Sequence, residues 1–367
     1  MIISRYLAKE VLTALLAVTF VLLLIFLSDQ LVRYLGYAAS GKIAPHIVLQ
    51  LMEFEIPYLL ALLLPLGLYL GVMLVYGRLY ADSELRVLHA CGFSISRLTA
   101  ITAGLASLIA VVVAILMFWI NPLIAAEKEK LLAHSAGTSN ILETLMPGRF
   151  RVSNEGSRVI YVEKISRDHK QARNIFIADE TGDITQNNAS SWVVLSADRG
   201  YQVKNPMTHD RYVVAADGFR YDGAPGENNY RITQFKEYAA RIPPAELSTK
   251  HQAQESIPTK TLFKNYHNNP DNIAELQWRI SFPLSAFLLA LLAIPLSQVK
   301  PRQGRYAMLL PAILVYVVYV NLLFVARNLL EQKLVPMAIG MWWVHAIIFI
   351  LITLFLLVQS GWKTRRV

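Results

Sequence analysis

Side chains able to do chemistry are sparse in this sequence, and none falls in a catalytic pattern. The sole Gly-Lys pair, Gly41-Lys42, is followed by Ile43, so no phosphate-binding loop is encoded. HExxH and GxSxG are both missing. The histidines share no ligand spacing, and His89 reads as a helix-surface residue. The single cysteine, Cys91, permits no internal disulfide. What remains is a mechanical device. Gly77 to Leu98, GRLYADSELRVLHACGFSISRL, sets Arg78, Asp82, Glu84, Arg86 and Arg97 between two apolar stretches. Asp82 or Ser83 can cap a helix, Glu84 then sits in its first turn where the helix dipole favours an acid, and Gly92 can close it. Glu84, Val87, Leu88 and Cys91 share one face by three- and four-residue spacing. A short helix held between two spans is a lever for whatever grips it from the water. Without a partner it is an interfacial amphipathic turn.

The elements that must position this helix are membrane spans. The chain has 367 residues, of which 54% are hydrophobic, and a net charge of +9. Its mean hydropathy of +0.39 excludes an ordinary soluble protein of this length. In a membrane protein the basic excess reads as cytoplasmic loop charge rather than nucleic-acid binding. Met1 to Glu10 reads as a short surface helix, and Val11 to Leu27, continuing to about Leu35, as an uncleaved first span. Asp29, Gln30 and Arg33 then stand at its far boundary. Ile47 to Val75 is the second span, interrupted by Pro57 and Pro65. Its Gly67 and Gly71 suit close helix contact, either within the chain or with another subunit. Leu98 to Ile120 is the third, closed by Asn121-Pro122. Three further spans run at about Leu276 to Leu296, Tyr306 to Ala326 and Ile339 to Gln359.

Between the third and fourth spans the period changes to two. RVIYVEKI (Arg158 to Ile165), NIFIAD (Asn174 to Asp179), WVVLSAD (Trp192 to Asp198), RYVVAAD (Arg211 to Asp217) and NYRITQF (Asn229 to Phe235) read as short strands separated by Gly, Asn and Asp clusters. The expected architecture is therefore membrane α-helical, six transmembrane helices in a 3+3 split, with an inserted all-β domain, a sandwich or roll. The expected divisions are 1–126, with the lever helix at about 82–92; 127–272, with Pro243, Pro244 and Pro258 in its trailing linker; and 273–367. Acids are scarce in the spans, which argues against a proton relay.

Charge sets the orientation. Alternation places the N-terminus, the Gly77–Leu98 loop, the basic loop SQVKPRQGR (Ser297 to Arg305) and the C-terminus on one side. That side holds Arg5, Lys9, Arg78, Arg86, Arg97, Lys300, Arg302, Arg305, Lys363, Arg365 and Arg366. The opposite short loops hold only Arg33, Lys42, Arg327 and Lys333. The first side is thus expected in the cytoplasm and the β domain outside it. The lever helix would face the compartment that holds ATP.

These stretches together resemble the LptF/LptG permease family, the membrane subunits of the lipopolysaccharide-export ABC transporter. SELRVLHACGFS (Ser83 to Ser94) looks like the family's coupling helix. VRYLG (Val32 to Gly36), ELQWRI (Glu275 to Ile280) and KPRQGR (Lys300 to Arg305) are similar to its LptF branch. The resemblance spans the chain. It implies an inner-membrane protein of a Gram-negative bacterium with a β-jellyroll-like periplasmic domain. It implies a sister permease like LptG, an ATPase dimer like LptB, and a protein with one transmembrane helix and a periplasmic domain like LptC. The chain itself would be non-catalytic and bind no cofactor or metal, ATP and magnesium staying on the ATPase.

By the same resemblance Glu84 is the coupling-helix acid, within a contact set of Ser83, Glu84, Arg86, Val87, Leu88 and His89. Arg33 stands where the family uses a cation against lipid A phosphate or core charges. Some relatives carry a second cation three residues earlier; here that position is Gln30. Phe26, Tyr316 and Tyr319 are candidate lining for the lipid cavity, or ordinary packing residues. A membrane scaffold whose β domain binds a protein is the rival from another class. A lipoprotein-type ABC permease is a second rival, disfavoured because its domain typically follows the first span.

Overall fold

A computed structural model describes residues 2–39, 43, 45–138, 147–152, 158–166, 171–181, 191–204, 211–224, 226, 230–241, 254–264, 269–298 and 308–364. The basic loop from 299 to 305, Lys42, Pro243, Pro244, Asn229, Arg365 and Arg366 lie outside them. Nine α-helices and six strands are present among the described residues. Two compact units result. One joins Met1–Leu31, Gln50–Glu129 and Ser248–Val367; the other joins Val32–Leu49 and Lys130–Leu247.

Helix α1 (Ile2–Ala39) is one unbroken element, so the separate surface helix expected at Met1 to Glu10 is absorbed into it. Leu7, Val11 and Leu15 recur at four-residue spacing on its buried face, which carries the helix through without a break. Helix α2 (Val48–Ala81) contains Pro57 and Pro65 without interruption. Its Gly67 and Gly71 pack against α1 within the chain: a Cβ on Gly67 would lie 2.0 Å from Thr19 Oγ1, and one on Gly71 3.0 Å from the Leu15 nitrogen. That contact settles the choice left open by the glycine spacing.

Helix α3 (Glu84–Ala90) follows, then α4 (Ile95–Ile115), a π turn (Leu116–Ile120) and α5 (Asn121–Thr138). Asn121-Pro122 therefore does not close the third span. Proline lacks the N–H that would bond the carbonyl four residues back. That carbonyl, on Phe118, accepts instead from Thr259 Oγ1 at 2.7 Å, and the π turn absorbs the misfit. The short helix α6 (Thr259–Lys264) supplies the hydroxyl.

Helix α7 (Pro270–Leu296) starts with Pro270 in its first turn and the Asn269 side chain accepting from the Asp271 N–H at 3.1 Å. Helices α8 (Leu309–Glu331) and α9 (Trp342–Thr364) complete the unit, and α4, α8 and α9 all pack on α7. One apolar core, from Leu7 through Leu85 and Phe282 to Ile352, joins these helices. Five helical segments are long and apolar enough to cross a membrane: Ile2–Ala39, Pro45–Ala81, Ile95–Leu132, Pro270–Leu296 and Leu309–Glu331. A sixth apolar stretch, Trp342–Phe355, lies in α9.

The second unit contains one six-stranded antiparallel sheet in sequential order. Its strands are β1 (Phe150–Val152), β2 (Arg158–Ile165), β3 (Gln171–Thr181), β4 (Ser191–Lys204), β5 (Arg211–Gly223) and β6 (Arg231–Arg241). The inserted all-β unit is thus present, and its described strands form one continuous sheet. Register aligns Val162, Ile175, Ala197, Gly218 and Phe235 in one cross-strand row, an apolar stripe on a single face. Gly218 is required there: an added Cβ would come within 2.3 Å of the Ser196 carbonyl oxygen and 2.7 Å of the Phe235 ring.

Candidate functional site

Helix α3 is short because both ends are fixed. Ser83 occupies the N-cap, but with φ of 64°, and its side chain makes no capping bond. The capping expected of Ser83 is therefore replaced by a tight left-handed turn after Ala81, with the Ser83 N–H reaching the Tyr80 carbonyl at 3.2 Å. At the other end Gly92 adopts φ of +91°. The Gly92 N–H bonds the His89 carbonyl at 3.1 Å, and the Phe93 N–H bonds Leu88 at 2.9 Å. This pairing is a Schellman closure, which needs a left-handed residue and hence glycine.

The faces of α3 differ. Leu85 is wholly buried and Phe93 is 6% exposed, and both belong to the core of the helical unit. The His89 Nδ1–H donates to the Phe93 carbonyl at 2.5 Å, since a carbonyl can only accept. Arg86 Nη2 donates to the Tyr80 carbonyl at 2.9 Å. These contacts turn Arg86 and His89 toward the bundle. Leu88 is half-buried against the core, while Ser83, Glu84, Val87 and Cys91 face outward, Val87 at 60% exposure. The six candidate contact residues thus divide into an outer set of Ser83, Glu84 and Val87 and a seating set of Arg86, Leu88 and His89.

The candidate lipid residues do not gather into one site. Phe26, Gln30 and Arg33 share a face of α1 at four- and three-residue spacing, with Phe26 and Arg33 exposed. Tyr316 is half-buried on α8. Tyr319 is 1% exposed inside the bundle, its hydroxyl 2.8 Å from His345 Nδ1. The other ring nitrogen of His345 is 3.0 Å from Ser281 Oγ, so Tyr319 ties α8 to α9 and α7.

Gln30 alone of these five also lines a cavity of about 270 Å³ within the helical unit. Its wall includes Glu55 and Tyr58 of α2, Asn121 and Lys128 of α5, Glu255, and Glu275, Trp278 and Arg279 of α7. Apart from Glu255, the wall's charges are paired. Lys128 bonds Glu55. Glu275 receives Arg279 Nε at 2.7 Å and Arg327 Nη2 at 3.0 Å, and Arg327 also holds Glu331 at 3.0 Å. The Arg327 guanidinium lies 4.9 Å from the centre of the Trp278 ring.

Arg279 spends its remaining donors on Thr259 Oγ1 at 2.9 Å and the Gln254 and Glu255 carbonyls at 3.4 and 3.0 Å. Sequence reasoning missed this cluster. Its visible trace was the four-residue spacing of Glu275 to Arg279 and of Arg327 to Glu331.

A family model described as lipopolysaccharide export system permease LptF/LptG matches residues 5–359. The chain is 34% identical over 320 residues to the lipopolysaccharide export system permease protein LptF of Escherichia coli K12, covering 87% of this chain and 84% of that protein. The same identity and coverage hold for the LptF protein of Shigella flexneri.

Proposed function

The chain belongs to the LptF/LptG family of lipopolysaccharide export permeases, and from that premise we propose that it is a permease subunit driven through α3 by a separate ATPase. It is a multi-pass inner-membrane protein of an ABC transporter. In the proposed cycle ATP closes a dimeric ATPase resembling LptB in the cytoplasm. The dimer grips Glu84 and Val87 here and the equivalent helix of a sister permease resembling LptG. Because Leu85 and Phe93 seat α3 in the shared core, the pull moves α2 and α4 with it. The chamber between the two permeases narrows and expels its lipid.

Lipopolysaccharide would enter with its acyl chains against apolar helix faces such as that of Phe26. Arg33 would hold an anionic headgroup group through charge-assisted hydrogen bonds. The β unit, placed in the periplasm by this reading, would pass the lipid toward a protein resembling LptC. The nucleotide and its magnesium stay on the ATPase.

The observation that carries the reading is the division of α3 into a buried apolar seat and an outward acidic face. Purification of the complex with Glu84→Lys tests it. The variant permease pair should assemble and lose the ATPase. Retention of the ATPase with normal export would refute the grip. Replacing Arg33 by Glu should lower lipopolysaccharide-stimulated ATP turnover, and an unchanged response would remove Arg33 from the headgroup site.

A further inference from the structure

The cavity between α2, α5 and α7 holds a carboxyl that its ion pairs do not use. The three bases Lys128, Arg279 and Arg327 pair with Glu55, Glu275 and Glu331. Glu255 enters none of these pairs, yet it lines the same cavity. It lies on the first stretch described after the β unit, residues 254–264. The groups facing it are Glu55 and Tyr58 from α2, Lys128 from α5, Glu275 and Arg279 from α7, and Arg327 from α8. Within the ion pairs just given, three acids balance three bases when Glu255 is neutral. With Glu255 ionised, the cluster carries one uncompensated negative charge among protein atoms, where it is costly.

Arg279 connects this proton to the backbone. It holds the carbonyls of Gln254 and of Glu255 itself, and the hydroxyl of Thr259. Thr259 in turn satisfies the Phe118 carbonyl freed by Pro122. One guanidinium on α7 thus pins the segment returning from the β unit, which also bonds the π turn through Thr259.

We propose that the cavity is a one-proton site at Glu255 whose proton latches the 254–264 segment onto the helical unit. While Glu255 is neutral, Arg279 can spend its donors on the backbone carbonyls. Once the carboxyl ionises it competes for Arg279 and Lys128, and the cavity gives it room to turn toward them. The carbonyls of Gln254 and Glu255 lose their donor, and the segment loosens. Burial, followed by the Glu275 charge, pushes the Glu255 carboxyl up to about 7 from an ordinary 4.5, so the change falls near neutral pH. The latch acts on one of the covalent connections between the helical unit and the β unit. It does not depend on which partner pulls α3.

Hydrogen–deuterium exchange of the full-length chain in lipid nanodiscs tests this, corrected for intrinsic exchange rates and read on peptides covering 254–264. Opening linked to one proton should lower their protection by up to about tenfold per pH unit as pH rises from about 4.5 to about 7, then level off. Peptides within α7 should keep their protection. Glu255→Gln, which mimics the neutral form, should flatten the response at high protection. Glu55→Gln, which removes a repelling acid, should bring the levelling point to lower pH. A flat profile in the wild type overturns the proposal, with or without a folded variant. So does a slope that persists in Glu255→Gln.

Discussion

Helix α3 and the buried cluster on α7 both present an acid, and they are built in opposite ways. Glu84 stands in water on a helix of only seven residues, held by an apolar seat beneath it. Glu275 is 2% exposed and needs two arginines to be tolerated there. An exposed acid costs little to keep and is open to a partner. A buried one cannot meet a partner and is kept only by a complete set of internal donors. The exposed acid thus suits transmission between chains, and the buried set suits holding this chain together.

Breaking the buried side should cost most. Arg279→Met leaves Glu275 with one arginine and strips the donor from Gln254, Glu255 and Thr259. A destabilisation of about 3–5 kcal/mol is expected, read as a large fall in thermal unfolding midpoint in detergent. Leu85→Ala, at the wholly buried seat of α3, should cost about 2–4 kcal/mol. It should also uncouple ATP turnover from export while Glu84 remains in place, because the grip survives and the linkage does not. Gly92→Ala forces a Cβ into a left-handed φ of +91° and should cost about 1–2 kcal/mol, measured in the same melt.

The smallest effect belongs to a third acid, Glu255, and is read against pH. Glu255 has its carboxyl raised to about 7, so the native state binds more protons than the unfolded state between 4.5 and 7. Its contribution to stability is therefore full below that window and lost as pH rises through it. Unfolding midpoints of the wild type and Glu255→Gln should converge at low pH and part near neutrality, with the wild type lower.

The sequence exposed the outward half of this design better than the inward half. Hydropathy located five helices long and apolar enough to cross a membrane, period-two alternation located the strands, and Gly92 marked the end of α3 because a Schellman turn demands it. The helix start was placed correctly, with Ser83 at the cap and Glu84 in the first turn, but Ser83 takes a left-handed turn there and its side chain makes no capping bond. Asn121-Pro122 looked like a stop because its remedy lies far away: the hydroxyl that rescues the Phe118 carbonyl belongs to Thr259, 141 residues later. The few acids in the spans gave no sign of their gathering. Lys128 and Glu55 are 73 residues apart and Arg327 and Glu275 are 52 apart, distances over which no local pattern reports a contact.

The account rests most heavily on α3 facing the compartment that holds ATP. Cys91 is the chain's single cysteine and is exposed beside that helix, so a membrane-impermeant thiol reagent reports its side directly. Inverted membrane vesicles lacking the ATPase should label at Cys91 and intact cells should not. Labelling from outside intact cells would contradict the account.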